Sequence, residues 1–240
     1  MPRTSTAAAE RQALVRALRE KGPTADTLCE GWTTHDLAVH VAARDARPHL
    51  VFGQELPVVG AKALEQYHQF EQMSFEQLLD RIADGVPSWH PARTRAVDDA
   101  VNTVEFFVHT EDVLRADVRV ASEITPGETG DGGTADVEPG ESDAASDDAG
   151  SAGAGTALQP RRRRVPEEVQ RRLWRQASRT LFLAAARKHR RRITFISPGH
   201  GSVTHGSSKD PMISLEGAPG ELILWAFGRE DAADVALRRH

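Results

Sequence analysis

A mainly α-helical fold, an antiparallel helical bundle followed by a small α+β domain, is predicted by three observations. Amphipathic segments with helix-capping residues fill residues 1–120. Short β-branched runs separated by Pro, Gly and Ser occur only in the last part of the chain. Between these regions, residues 121–162 are rich in Gly, Ala, Ser, Asp and Glu and contain no aromatic residue, which is typical of a disordered linker or insertion. The predicted domains are therefore 1–120 and 163–240.

Five helices are predicted in the first region from capping residues and from apolar residues three and four positions apart. Thr33 and Asp36 resemble a capping box at the start of the second helix, and Ser74 and Gln77 resemble one at the start of the fourth. The predicted helices span residues 5–22, 32–46, 60–72, 74–85 and 97–116. Because several of the connections are short, neighbouring helices are expected to run antiparallel and to form a bundle.

The last region is predicted to contain one long helix and a few short strands. Residues 165–191 form a helical pattern with Pro and Glu at its start and basic residues at its end, as the helix dipole favours. Residues 192–217 alternate short strand-like runs with Pro, Gly and Ser turns. A short helix within 218–231 and a last strand near 233–239 complete a small α+β domain.

The net charge of -5 conceals a strong asymmetry along the chain. Residues 121–160 carry nine acidic and no basic side chains, whereas residues 161–192 carry 13 Lys or Arg. The basic tract raises the alternative of a basic interaction protein. Nucleic acid is not expected as a partner, because no DNA-binding motif or basic groove with interleaved aromatic residues accompanies the tract.

No run of 18 apolar residues and no signal-peptide pattern occurs, so we expect a cytoplasmic protein without a membrane partner. The single cysteine, Cys29, excludes an intramolecular disulfide and a multi-cysteine metal cluster. It is expected to pack in the fold and not to act as a nucleophile. Any bound metal would have to be held mainly by His and carboxylate side chains.

The fifth predicted helix, "VNTVEFFVHTEDV", places Glu105 and His109 on the side that also carries its valines. Residues four apart in a helix lie about 5–6 Å from each other, so this pair could bind one cation. A cation would offset the cost of burying a carboxylate. His40, on the inward side of the second helix, is the best third ligand; His35 and His49 fit the apolar pattern less well. A solvated helix edge and a hydrogen-bonded core histidine remain the alternatives.

Two motifs of the chain resemble those of a known superfamily. "WTTHDLAVH" resembles the W-T-x-x-D-L-x-x-H signature of the DinB/YfiT-like metal-binding proteins, in particular the actinobacterial branch similar to mycothiol-dependent maleylpyruvate isomerase. "VNTVEFFVHTEDVLRA" resembles the second motif of that branch, and "GAPGELILWAFGRED" resembles its small C-terminal domain. The resemblance implies a DinB-like bundle with His40, Glu105 and His109 as metal ligands. The acidic segment departs from the family pattern.

The resemblance also implies a chemistry. Zinc is the leading metal, although two His and one carboxylate would also suit iron, manganese or nickel. A thiol such as mycothiol would bind the metal as a thiolate and attack a small electrophilic substrate, so a thiol-dependent transferase or isomerase is expected. A non-catalytic metal- or ligand-binding module is the alternative. The oligomeric state is expected to be a monomer or a homodimer.

Three further residues receive roles by this resemblance or by their position. Arg229 is predicted as a catalytic residue that binds an anionic group of the substrate or thiol, the alternative being a surface arginine. Asp36 and Asp112 could orient ligand imidazoles. Their competing assignments are a helix cap for Asp36 and a surface charge for Asp112.

Overall fold

The computed structural model describes residues 5–46, 60–85, 95–117 and 162–240. Apart from its last residue, the predicted linker 121–162 lies outside the described residues, as does His49. All five helices predicted in the first region are present. They are α1 (Thr6–Lys21), α2 (Thr34–Ala46), α3 (Gly60–Glu71), α4 (Phe75–Asp84) and α5 (Arg95–Leu114).

Ends of α1, α2 and α4 carry local features of the predicted kind. The Ser74 hydroxyl accepts a bond from the backbone of Gln77, whose side chain accepts one from the Ser74 backbone, so the capping box of α4 is complete. At α2, the Asp36 carboxylate accepts from the Thr33 N–H at 2.9 Å. Gly22 follows α1 with a φ of 75°, a conformation that favours glycine.

The long helix predicted over 165–191 is interrupted. It consists of α6 (Glu167–Gln176), a π-helical segment (Ala177–Leu181) and α7 (Phe182–His189). The Phe182 N–H donates to the Ala177 carbonyl five residues earlier. His205 lies with Nε2 2.8 Å from the Ser178 carbonyl and so supplies a partner to a group within the widened turn. This tertiary hydrogen bond lies outside what helix periodicity can predict.

A four-stranded mixed sheet completes the last region. It contains β1 (Arg192–Ser197), β2 (Gly201–His205), β3 (Met212–Glu216) and β4 (Ala236–Arg239), with α8 (Pro219–Ala226) between the last two strands. The strand order is β2-β1-β3-β4; β1 and β3 are parallel and the outer pairs are antiparallel. The predicted α+β character of this region is confirmed.

Helix α5 contributes to two hydrophobic cores. Phe106 and Val113 pack with α1, α2 and α4 in the first core. Val104, Phe107 and Val108 pack with α6, α7, α8 and the sheet in the second. Both regions of the chain therefore share this helix. No helix among the described residues is both long and apolar enough to cross a membrane.

A buried ionic network also connects the two regions. Arg115, directly after α5, contacts Glu111 at 2.7 Å and makes a two-point pair with Glu221 of α8. Arg163 contacts Glu111 at 2.6 Å and pairs with Glu10 of α1. Both side chains of the Arg115–Glu111 pair are buried, and removing one partner of such a pair is strongly destabilising. The network holds α1, α5 and α8 together.

Candidate metal centre

The structure brings together the three predicted ligands. Glu105 and His109 lie one turn apart on α5, with His109 Nε2 3.2 Å from Glu105 Oε1. His40 projects from α2, and its Nε2 lies 3.8 Å from the same Glu105 oxygen. One donor atom from each residue lies within 4.8 Å of the others. The ligand positions inferred from helix spacing are therefore adjacent in three dimensions.

The pair on α5 is less buried than its apolar neighbours led us to expect. The exposed fraction of the side chain is 25% for Glu105 and 12% for His109, whereas Phe106 is fully buried. The reason is the double role of α5, because Phe106 enters the first core and Val104 and Val108 enter the second core. Glu105 and His109 lie between these two faces, where polar groups remain accessible.

The donor atoms fit a divalent cation in chemistry and in spacing. Imidazole nitrogen and carboxylate oxygen are the usual non-thiolate ligands of zinc, with bonds of about 2.0–2.2 Å. In a tetrahedral site with such bonds, adjacent donors lie about 3.4 Å apart. The two distances to Glu105 Oε1, 3.2 and 3.8 Å, lie on either side of this value. The three residues leave room for an exogenous ligand in a four-coordinate shell.

Asp112 orients His109 from behind. Its carboxylate is fully buried, and Oδ2 lies 3.1 Å from His109 Nδ1. A proton on Nδ1 donated to Asp112 leaves the lone pair on Nε2, the nitrogen that faces Glu105. The alternative of a surface charge at Asp112 is thus wrong, because the last turn of α5 is covered by the C-terminal region.

The charges around His109 affect its ionisation and that of its partners. Burial alone would lower the pKa of His109, but hydrogen bonds with Asp112, Cys29 and Glu105 raise that pKa well above its usual value. Burial would raise the pKa of Asp112, but contacts with His109 and Arg229 hold that pKa below its usual value. The metal-free site therefore favours an ionised Asp112 beside a protonated His109.

Arg229, the predicted catalytic residue, lies against Asp112. Its Nε and Nη2 each contact one carboxylate oxygen at 2.8 Å, and Nη1 donates to the Phe227 carbonyl at 2.8 Å. Nη2 also contacts Cys29 Sγ at 3.3 Å. In this arrangement the guanidinium is engaged with the protein and reaches His109 only through Asp112.

Arg44 is a site residue that the sequence analysis did not assign. Its Nε lies 3.2 Å from Glu105 Oε1. Burial would raise the pKa of Glu105, but contacts with His109, His40 and Arg44 hold that pKa well below its usual range. The spacing could have indicated this residue, since Arg44 follows His40 by one helical turn and lies on the same face of α2.

The other polar residues considered lie elsewhere. Asp36 is exposed and caps α2, as its competing assignment predicted. His35 contacts the Met73 carbonyl through Nε2 at 3.4 Å and stacks on Phe75. Cys29, His109 and Asp112 form a second group with donor atoms within 4.8 Å. In that group the Arg229 guanidinium already neutralises the carboxylate, which disfavours a further cation.

One known family model matches the N-terminal part of the chain. Residues 4–105 match the family model described as the mycothiol maleylpyruvate isomerase N-terminal domain. The chain is thus similar over these residues to a mycothiol-related family, which confirms the resemblance based on the first motif, "WTTHDLAVH". The second motif extends beyond the match, and the C-terminal stretch lies outside it. His40 lies within the match, Glu105 is its last residue, and His109 lies beyond it. Searches of the curated proteins and of the solved structures give no significant match.

Proposed function

We propose that the protein is a divalent-metal-dependent enzyme that uses a low-molecular-weight thiol, of the mycothiol type, in the transfer or isomerisation of a small electrophilic substrate. The observation that carries this proposal is the convergence of one donor atom from each of His40, Glu105 and His109 beside an open cavity. The match of residues 4–105 to a mycothiol-related domain supports the choice of thiol.

The residues of the chain have distinct tasks in this proposal. His40, Glu105 and His109 hold the metal, with zinc as the leading candidate. A bound divalent cation supplies a positive charge that lowers the pKa of a coordinated thiol toward neutrality. Asp112 holds the proton on His109 Nδ1, and Arg229 keeps Asp112 ionised and in place. We propose Arg229 as a positioning residue for this site and not as a residue that contacts substrate.

Elemental analysis followed by metal titration tests the ligand set. We expect about one zinc per chain, with strongly weakened binding in the single variants His40→Ala, Glu105→Ala and His109→Ala. His68→Ala is the matched control, since His68 is an exposed histidine of α3 paired with Glu71. Unchanged zinc affinity in all three ligand variants would refute the proposed centre.

A second experiment separates an enzyme from a non-catalytic metal-binding module. The zinc-loaded protein is titrated with mycothiol and then assayed with the thiol and a model electrophile. The enzyme hypothesis predicts thiol consumption that requires zinc and is lost in His109→Ala. Thiol binding without turnover across a panel of electrophiles would favour the binding module.

A further inference from the structure

A cavity of about 370 Å³ opens beside the candidate metal centre and is lined by residues of both regions of the chain. Val104 and Glu105 of α5 form part of its wall. Arg175, Arg179 and Thr180 from α6 and the π-helical segment form another part, with Phe227 contributing an apolar surface. The wall of this cavity therefore carries a candidate metal ligand and two guanidinium groups. The proposed metal centre does not require the two guanidinium groups.

The two arginines are not explained by the packing of the fold. Both are exposed, and they lie four residues apart, a spacing at which like charges repel along a helix. Within the described part of the chain, no ion pair links either guanidinium to a carboxylate. By contrast, Arg171, one turn before Arg175 on α6, lies 3.7 Å from Glu167. Among the described residues that line the cavity, these two guanidinium groups are accompanied by one carboxylate, that of Glu105, so positive charge is in excess.

The π-helical segment makes this wall a specific feature of the fold. Such segments are rare and are frequently found at functional sites. Here the widened turn carries Arg179 and Thr180 into the cavity wall, while Ala177 at its start is fully buried. The contact between His205 and the Ser178 carbonyl provides a hydrogen-bond partner within the segment. The sheet therefore supports the conformation that presents Arg179.

We propose that Arg175 and Arg179 bind an anionic group, a carboxylate or a phosphate, of a small molecule that occupies this cavity. Guanidinium groups bind both anions through paired hydrogen bonds. The inference rests on the proposed function in one respect, which is that the bound molecule is the substrate. In that case its reactive carbon would lie toward the metal centre. The anion site itself uses residues outside the proposed ligand set.

Direct binding to the metal-free and zinc-loaded full-length protein tests the site. Succinate and inorganic phosphate serve as probes in calorimetric titrations at low and moderate salt. We expect one of them to bind at one site per chain, and we expect Arg175→Gln/Arg179→Gln to weaken its affinity at least tenfold. Succinate binding alone would identify a carboxylate group, and phosphate binding alone would identify a phosphate group.

Arg171→Gln/Arg187→Gln is the matched control, because it removes the same charge from exposed positions on α6 and α7 that do not line the cavity. Equal weakening in both double variants, or no saturable binding of either probe, would overturn the anion site. His109→Ala separates the two proposals. If His109→Ala loses zinc binding but still binds the anion, the anion site is supported independently of the metal centre. If the wild-type protein binds zinc but neither anion, the anion site is refuted and the proposed metal centre is unaffected.

Discussion

Replacing Asp112 by Asn tests whether the contacts behind His109 control metal binding. Asn preserves the shape of the side chain but removes the charge that faces both His109 Nδ1 at 3.1 Å and the Arg229 guanidinium at 2.8 Å. Loss of such a partner behind a metal-binding histidine typically costs 10–100-fold in metal affinity, or about 1.4–2.7 kcal/mol. We expect zinc affinity to fall by that factor.

The metal-free protein should lose stability as well. Removing one partner of a fully buried ion pair costs about 3–5 kcal/mol. Since the Arg229 side chain is 19% exposed and can be partly solvated, we expect a smaller loss of about 2–3 kcal/mol in the free energy of unfolding. Urea unfolding in the presence of a chelator measures this term separately from metal binding.

A chelator competition assay measures zinc affinity in the wild-type protein, in Asp112→Asn and in Asp117→Asn. Asp117→Asn is the control, because it is the same substitution at an exposed position, where Asp117 pairs with Lys21. Zinc affinity within twofold of wild type for Asp112→Asn, at a pH where His109→Ala loses binding, would refute the argument that Asp112 orients the ligand.

Three further predictions concern stability and pH. Arg115→Ala removes the guanidinium that pairs with Glu221 and one of the two that contact the buried Glu111, and it should lower the free energy of unfolding by about 3–5 kcal/mol in urea titrations. A loss below about 1 kcal/mol would contradict the role of the network. Gly220→Ala places a Cβ 2.5 Å from Phe107 Cζ and should lower the free energy of unfolding by about 1–3 kcal/mol. Phe107→Leu in the same chain should reduce the cost of Gly220→Ala. Additive losses of stability in the double variant would exclude this contact as the cause. Because the pKa of His109 is raised, zinc must displace a proton from this residue, and zinc affinity should increase as pH rises toward that pKa. The stability of the metal-free protein should change in the opposite direction. The contribution of protonated His109 to that stability is complete below about pH 6.5 and is lost as pH rises through the raised pKa. Calorimetry and chelator-treated unfolding across pH check both signs, and pH-independent affinity would contradict the displacement of a proton.

Local sequence signals were sufficient to predict most of the elements and the proximity of the three candidate ligands. Helix ends depend on contacts within a few residues, so the capping box of Ser74 and Gln77 could be predicted without knowledge of the fold. Glu105 and His109 are adjacent by helix geometry alone. His40 was selected because it lies on the inward face of its own helix, and the structure places it against Glu105.

Other features of the site depend on contacts between residues far apart in sequence. Arg229 meets Asp112 across 117 positions, and that contact changes the arginine from a predicted anion-binding residue to a proposed positioning residue. The partial exposure of Glu105 arises because α5 packs against two cores, which a single helical pattern does not reveal.

The amino-acid sequence by itself therefore predicted the helices of the first region, the α+β character of the last region and the three residues whose donor atoms lie close together, because these predictions use periodicity, capping and spacing within segments. Only the tertiary structure decided which atoms surround the candidate centre: Asp112 behind His109, Arg44 beside Glu105, and the cavity with Arg175 and Arg179. The physical reason is that these neighbours are brought together by packing between α2, α5 and the C-terminal region, and local backbone preferences carry no information about that packing.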